Sequence, residues 1–482
     1  MIRFTNRGPI FIILLYGLLA VILRFFSFFP SVIDHDESTY LEIARMILEG
    51  KMLYVDMIDI KPPGIFLILA GFQAVFGYSV FIMRLLVSLW IALTAFILYR
   101  SALLFIKDER ASLAAGIIYI IFISTWSFYG ISITPEIFFN LFTISALYVF
   151  IKKEKPTRYF WAGLLAGLGF MVKYLVLFDF AAFTLVFLII EIRKMKFGAL
   201  PSLLRLTLAG AGFFIPFAIT NFWYYFNGHF DALFNIVYIA PSKYPADFEA
   251  WKMMKFLLDF HLRFLPLFIF FYYELINKGL KNQDLADMRL LGILWSVLAL
   301  IAVVMAGKTF GHYTIQLMLP VSLLAALFFH SKQNIPALIA PIFKGKTMIW
   351  IMFMVTLLIC SMKLEYILKK DIPREIAAYL KPKLNEDDVI YTGNYHHIIY
   401  YLLKKDSPTK YIHRSLLINE NHIRALNIDV DHEFHKIIAA NPLYIIIKNE
   451  YPEGILRDFI KANYKLEKDF EGNVQLFRLV MQ

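Results

Sequence analysis

From residue 10 the chain alternates long apolar stretches with short polar ones, and near residue 366 the alternation stops. About 20 apolar residues in a helix cross a hydrocarbon core of about 30 Å. The apolar stretches predict eleven spans, at 10–29, 79–105, 111–129, 136–151, 159–172, 175–192, 203–222, 256–276, 289–306, 312–329 and 347–366. The polar segment 30–78 has a pattern of its own. Tyr40, Ala44, Ile47 and Leu48 form an apolar stripe opposite Glu42, Arg45 and Glu49, with Asp36 placed as N-cap and Gly50 as stop. That predicts a short amphipathic helix lying on the membrane surface. Pro62 and Pro63 suit the first turn of a second helix, apolar from Ile65 to Phe76.

Beyond residue 366 the periods shorten and mix. Helix is expected over 376–384, 397–403 and 454–463, and strand over 388–392, 443–448, 464–470 and 474–479. The fold class is therefore a polytopic α-helical membrane protein of about 11 transmembrane helices, with amphipathic helices in the first outer loop and a small C-terminal α/β domain. The predicted domains are 1–366, in the membrane, and 367–482, outside it.

Composition sharpens this picture. With 59% hydrophobic and 17% aromatic residues and a mean hydropathy of +0.63, an ordinary soluble globule is excluded. The net charge of +11 is scattered among short loops and forms no phosphate-tracking patch, so no nucleic-acid partner is expected. With a cytoplasmic N-terminus, the inside loops carry Arg3, Arg7, Lys107, Arg110, Lys152, Lys153, Lys155 and Arg158. Further along they carry Arg193, Lys194, Lys196, Arg205, Lys278, Lys281, Arg289, Lys332, Lys344 and Lys346. The outer loops are poorer in cations, which recur beside span ends as Lys61, Arg84, Lys173 and Lys308. This places the 30–78 loop and the tail outside the cytoplasm, in a cell (inner or plasma) membrane. The single cysteine, Cys360, rules out a disulfide framework. No small-residue cleavage site follows Phe25 to Phe29, so the first span is expected to stay as an anchor.

Candidate chemistry sits on the outer side. Asp34, Asp36 and Glu37 stand where the hydrocarbon ends, followed by Asp56, Asp59 and Lys61. Charge at that depth is costly to desolvate and marks a functional site by default. Asp36 and Glu37 are placed to act as base toward an acceptor; as purely structural groups they would cap the helix and complement its dipole. Lys61 precedes a helix start and so suits a phosphate, or else it is a snorkelling lysine. In Gly307-Lys308-Thr309-Phe310-Gly311-His312-Tyr313, a lysine, a histidine and a tyrosine offer donors to an oxyanion; the structural alternative is aromatic anchoring at the interface. Lys173, Arg84 and Glu136 share that side of the membrane, although each alone is more often an interface anchor. His432 and His435 lack the helical spacing of a metalloprotease pair, so no metal site is expected there.

Taken together, the acidic pair after the first span, Tyr40-x3-Ala44, Gly50, Tyr54-x-Asp56, Lys61-Pro62-Pro63 and Arg84 resemble the family 39-like glycosyltransferases. That superfamily includes protein O-mannosyltransferases and bacterial aminoarabinose transferases, all of GT-C fold. Lys173 and the Gly307-Lys308, His312-Tyr313 and Pro320 positions look like the family's donor-phosphate elements. The resemblance covers the membrane region, whereas the tail matches only in size and placement. It implies transfer of a sugar from a polyprenyl-phosphate carrier to a lipid, glycan or protein acceptor, with inversion at the anomeric carbon. Asp36 would be the catalytic carboxylate, and Lys61, Lys308 and Tyr313 would hold the donor phosphate. Tyr40, Asp56, Asp59 and Glu136 would support the acceptor or these groups. Ile60 stands where aminoarabinose transferases carry an acid, which argues against an aminosugar. The acidic cluster is able to hold a divalent cation, but the resemblance does not call for one. An exporter of lipid-linked sugars is the alternative function, with Asp179 as an intramembrane charge, and an inactive assembly scaffold is a third reading.

Overall fold

A computed structural model describes residues 8–125, 130–152, 155–194, 199–243, 249–276, 280, 282–331, 345–393, 396–448 and 454–480. Arg3, Arg7, Lys153, Lys196, Lys278, Lys281, Lys332 and Lys344, which contribute to the charge pattern, lie outside the described residues.

Helices among the described residues overlap the predicted spans, Glu109–Ile123 covering the start of the 111–129 span, whose residues 126–129 lie outside the described residues. Five helices among the described residues are long and apolar enough to cross a membrane: Pro9–Phe28, Val80–Ile106, Pro201–Phe226, Gln283–Met305 and Gly311–Ser331. The predicted 256–276 span is two helices, Ala250–Arg263 and Leu265–Ile276, broken at Phe264. Many apolar side chains on these helices face outward, Ile10, Leu14, Phe214, Ile219 and Leu258 among them. In water such surface would be strongly unfavourable, whereas lipid solvates it. The chain is a membrane protein.

The polypeptide forms two compact units, each assembled from separate stretches. One comprises Met1–Phe28, Arg84–Thr220 and Ala246–Tyr366; the other comprises Phe29–Met83, Asn221–Pro245 and Ile367–Gln482. In the first unit, the helix Arg158–Phe170 crosses its neighbour at glycines. A Cβ at Gly163, Gly167 or Gly212 would collide with the backbone carbonyl of Ala209, Phe213 or Phe160, so only glycine permits this approach. The intramembrane Asp179 accepts the Trp295 indole N–H at 2.6 Å, which gives that charge a packing partner.

The second unit contains the first-loop helices and the tail. The first-loop helix His35–Leu48 differs from expectation on its polar face. Glu42 and Arg45 are buried rather than exposed, with Arg45 donating to Glu42 at 3.0 and 2.6 Å and to Asp406 of the tail at 2.8 Å. Glu42 and Arg45 are thus covered by protein and paired, while Glu49 of the same stripe stays exposed. The helix stops at Gly50, whose φ of 86° favours glycine. The tail sheet comprises β1 (Ile390–Thr392), β2 (Tyr444–Lys448), β3 (Tyr464–Phe470) and β4 (Val474–Leu479), in the order β1-β2-β4-β3. The β1–β2 pair is parallel and the others antiparallel. Ile445, Ile447 and Phe477 pack against Phe434 and Ile437 of the helix Val430–Ala439, and against Leu456 and Ile460 of Ile455–Asn463. The Val430–Ala439 helix, capped by Asp429, is one the sequence reading missed.

Candidate functional site

The N-cap of the first-loop helix is Asp34, not Asp36. Its carboxylate accepts the Asp36 backbone N–H at 3.2 Å. The Asp36 side chain is not the cap and lies in the first turn with one third of its surface exposed. The Tyr40 hydroxyl, one turn on, donates to Asp36 Oδ2 at 3.1 Å. Lys61 Nζ stands 3.5 Å from the same oxygen, and His413 Nε2 stands 3.5 Å from Oδ1. Lys61 also approaches Asp59 Oδ1 at 3.3 Å and sits 5.0 Å over the Tyr40 ring. The Tyr54 hydroxyl fixes the Lys61 carbonyl at 2.7 Å. Burial, then the neighbouring Asp36, pushes Asp34 up to about 7.

Not every predicted acid joins this group. Glu37 is fully buried, and Asp56 accepts the Met52 backbone N–H at 2.7 Å in a local turn. Asp59 is buried beneath Lys61 and also accepts the Lys61 N–H at 3.0 Å.

The first unit holds a second group. Lys173 pairs with the fully buried Glu136, which lies in the first turn of Pro135–Ile151. The Lys173 ammonium is also 3.7 Å from the centre of the Tyr313 ring. Tyr313 contacts the His312 ring edge-on at 4.9 Å, and His312 stacks on Phe310 at 5.8 Å. These residues open the short 3-10 helix Gly311–Leu317, just after Gly307, whose φ is 64°. Gln316 ties this segment to the Leu175 carbonyl at 3.1 Å. Lys308 is half-buried on the same loop. Arg84 is fully buried and donates to the Ser27 carbonyl at 2.7 Å.

An apolar cavity of about 530 Å³ lies in the same unit, lined by Met253, Leu257, Phe268, Val297, Leu300 and Leu317, among others. Leu317 ends the 3-10 helix that contains Tyr313.

Two histidines of the tail, to which the sequence reading assigned no role, meet the first-loop helix. His397 Nε2 lies 2.9 Å from Thr39 Oγ1 and 2.9 Å from the His35 carbonyl. Its ring centre is 5.2 Å from that of His413. Burial pushes His397 and His413 down, so both imidazoles are neutral at neutral pH. Their approach to the acidic helix depends on distant chain segments meeting, and no spacing rule signals it. Among the described residues, no three His, Cys, Asp or Glu side chains gather as metal ligands.

Residues 60–220 match the profile of the dolichyl-phosphate-mannose-protein mannosyltransferase family. No curated protein gives a significant sequence match. Among solved structures, ArnT from Cupriavidus metallidurans bound to undecaprenyl phosphate superposes with a TM-score of 0.65 at 13% identity, covering 99% of both chains. The same protein in its apo state gives 0.62 at 13% identity, covering 97% of both. The chain has the GT-C fold, and its resemblance to the protein mannosyltransferase and ArnT group holds.

Proposed function

We propose that this protein of GT-C fold, similar to protein mannosyltransferases and ArnT, is an integral-membrane glycosyltransferase drawing on a polyprenyl-phosphate-linked sugar. The observation that carries the reading is the Asp36 carboxylate: not the helix cap, open to solvent, and flanked by Lys61 and Tyr40. Asp36 accepts the proton of an acceptor hydroxyl as that oxygen attacks the anomeric carbon. The bond from the anomeric carbon to the phosphate oxygen breaks in the same displacement, inverting the centre. Polyprenyl phosphate leaves with one more negative charge than the phosphodiester had. Within the first unit, Lys308, Lys173 and Tyr313, with His312, are groups of the kind that stabilise such a charge. The ArnT structure was solved with undecaprenyl phosphate bound, and the apolar cavity ending at Leu317 suits a prenyl chain. The acceptor is a lipid, glycan or protein. By the charge pattern of the loops, the 30–78 segment and the tail lie on the outer face of the plasma membrane.

The test supplies labelled pentosyl and hexosyl polyprenyl phosphates to the protein in lipid nanodiscs with cell-envelope acceptors. Asp36→Asn is expected to lower transfer by about 10²–10⁴-fold, the share typical of a positioned base. Undiminished transfer by a folded Asp36→Asn protein overturns the assignment.

A further inference from the structure

We propose that His413, contributed by the tail, is a positioning residue that orients the Asp36 carboxylate and keeps it ionised through an Nε2–H donor. This rests on the reading of Asp36 as the acceptor's base.

The tautomer follows from the partners of the other ring nitrogen. The backbone N–H of Ser415 points at His413 Nδ1 from 3.3 Å, and the Ser415 hydroxyl lies 2.6 Å from it. A backbone amide can only donate, so Nδ1 accepts. In the neutral ring the proton then resides on Nε2, the atom 3.5 Å from Asp36 Oδ1. A separation of that size is longer than a formed hydrogen bond, but catalytic contacts commonly tighten only when substrate is bound.

The segment that delivers His413 is held on both sides. The Ile58 backbone N–H donates to the Lys410 carbonyl at 2.9 Å, which registers the tail against the loop leading to Asp59 and Lys61. On the other side, the buried Arg414 guanidinium donates to the Tyr391 hydroxyl of β1. Thr409 Oγ1 donates to the buried Glu433 carboxylate at 2.6 Å. A side chain whose neighbours are so fixed has little freedom to leave Asp36.

Each Asp36 oxygen thus meets donors of a different kind: His413 at Oδ1, and Lys61 with Tyr40 at Oδ2. This arrangement fixes the carboxylate plane and stabilises its charged form. Other titratable groups face the pair. Lys61 and Asp59 act on His413 from the loop before Pro62, while Asp34 and Glu37 lie beside Asp36 at the helix start. His397 and His422 adjoin His413, and His35 adjoins His397. All of these remain in place when His413 alone is exchanged, so a difference between variants at that position isolates its donor.

The experiment compares His413→Gln, whose amide N–H reaches the place of Nε2–H, with His413→Asn, one methylene too short. Both are polar amides, so their effects on folding are matched. The full-length protein in nanodiscs is titrated with a carbodiimide and an amine. Only the protonated carboxyl reacts, and peptide mass spectrometry follows Asp36, whose exposed surface admits the reagent. Losing one donor to a carboxylate is expected to raise the midpoint of Asp36 by about one pH unit in His413→Asn. His413→Gln should stay near the unsubstituted protein, and the acid limb of transfer should move with the midpoint. Equal midpoints in all three proteins overturn the proposal, as does an equal shift in both variants. Failure of the Asp36 reading shows separately, as full transfer by Asp36→Asn. In an Asp36→Asn background, His413→Asn is expected to lower transfer no further.

Discussion

The Asp34 carboxylate accepts the backbone N–H of Asp36 at 3.2 Å, so capping and chemistry fall to different acids two residues apart. Asp34 sits in extended backbone at φ −133°, as an N-cap requires, whereas Asp36 is already helical. Asp36 is therefore not the cap, although its place in the first turn still complements the helix dipole.

Asp34→Asn should separate these roles. Asparagine caps about as well as aspartate, so stability and transfer are expected to change little. Asp36→Asn should cost at most about 1 kcal/mol of stability, the first-turn dipole share, while transfer falls by about 10²–10⁴-fold. Measuring both properties on both variants checks the division. A large loss of transfer in a well-folded Asp34→Asn protein would contradict it.

A second prediction concerns the pair Lys173–Glu136, in which the carboxylate is fully buried. Lys173→Met strands that charge, and breaking a buried pair from one side costs about 3–5 kcal/mol. Adding Glu136→Gln removes the stranded charge and should restore most of the stability. Transfer should not return, because the cation assigned to the donor phosphate is still missing. Thermal melting and transfer assays on the single and double variants test this, and recovery of transfer in the double variant would show that Lys173 serves structure alone.

The sequence reading succeeded where local periodicity decides structure. Strands 464–470 and 474–479 appear with the expected bounds, and helices overlap the apolar stretches of the membrane region with shifted ends. It failed where two local signals compete or where distant segments meet. Both Asp34 and Asp36 are good capping residues, and only the backbone turn shows which one caps. Glu42 and Arg45 look like a solvated stripe until the tail, through Asp406, covers them. His413 carries no motif, and its place beside Asp36 is a tertiary fact. The Val430–Ala439 helix was missed although Asp429 caps it and Val430, Phe434, Ile437 and Ile438 repeat at helical spacing; it is ten residues long and mostly polar between these positions.

The tail should also respond to acid in a defined direction. Burial, then the charge of Lys448, pushes His396 down to about 3, and neither ring nitrogen has a hydrogen-bond partner among the described residues. Below pH 6.5 the unfolded chain takes up a proton there that the folded state refuses, so stability falls as pH falls. The loss approaches about 1.4 kcal/mol per pH unit down to the folded value. Asp34, raised to about 7, acts in the opposite sense by binding its proton more tightly when folded. His396→Leu isolates the histidine's share. Its melting temperature should decline less between pH 7 and pH 5 than that of the unsubstituted protein, and parallel curves would refute this account.

Lys61 is the point where acid and cation roles compete. Its ammonium lies 3.5 Å from Asp36 and 3.3 Å from Asp59, so two carboxylates share one positive charge. A donor phosphate that draws on Lys61 must therefore compete with Asp59, whose burial keeps it in place beneath the lysine. Asp59→Asn removes one competitor while preserving a polar group of the same shape. Donor KM is expected to fall about threefold, the effect of somewhat under 1 kcal/mol from one partly exposed ion pair. Lys61→Met should instead lower kcat/KM by about 10²–10³-fold, as loss of one preorganised donor does. A rise in donor KM for Asp59→Asn would mean that Asp59 helps to seat the lysine, and Lys61 would then act on Asp36 alone.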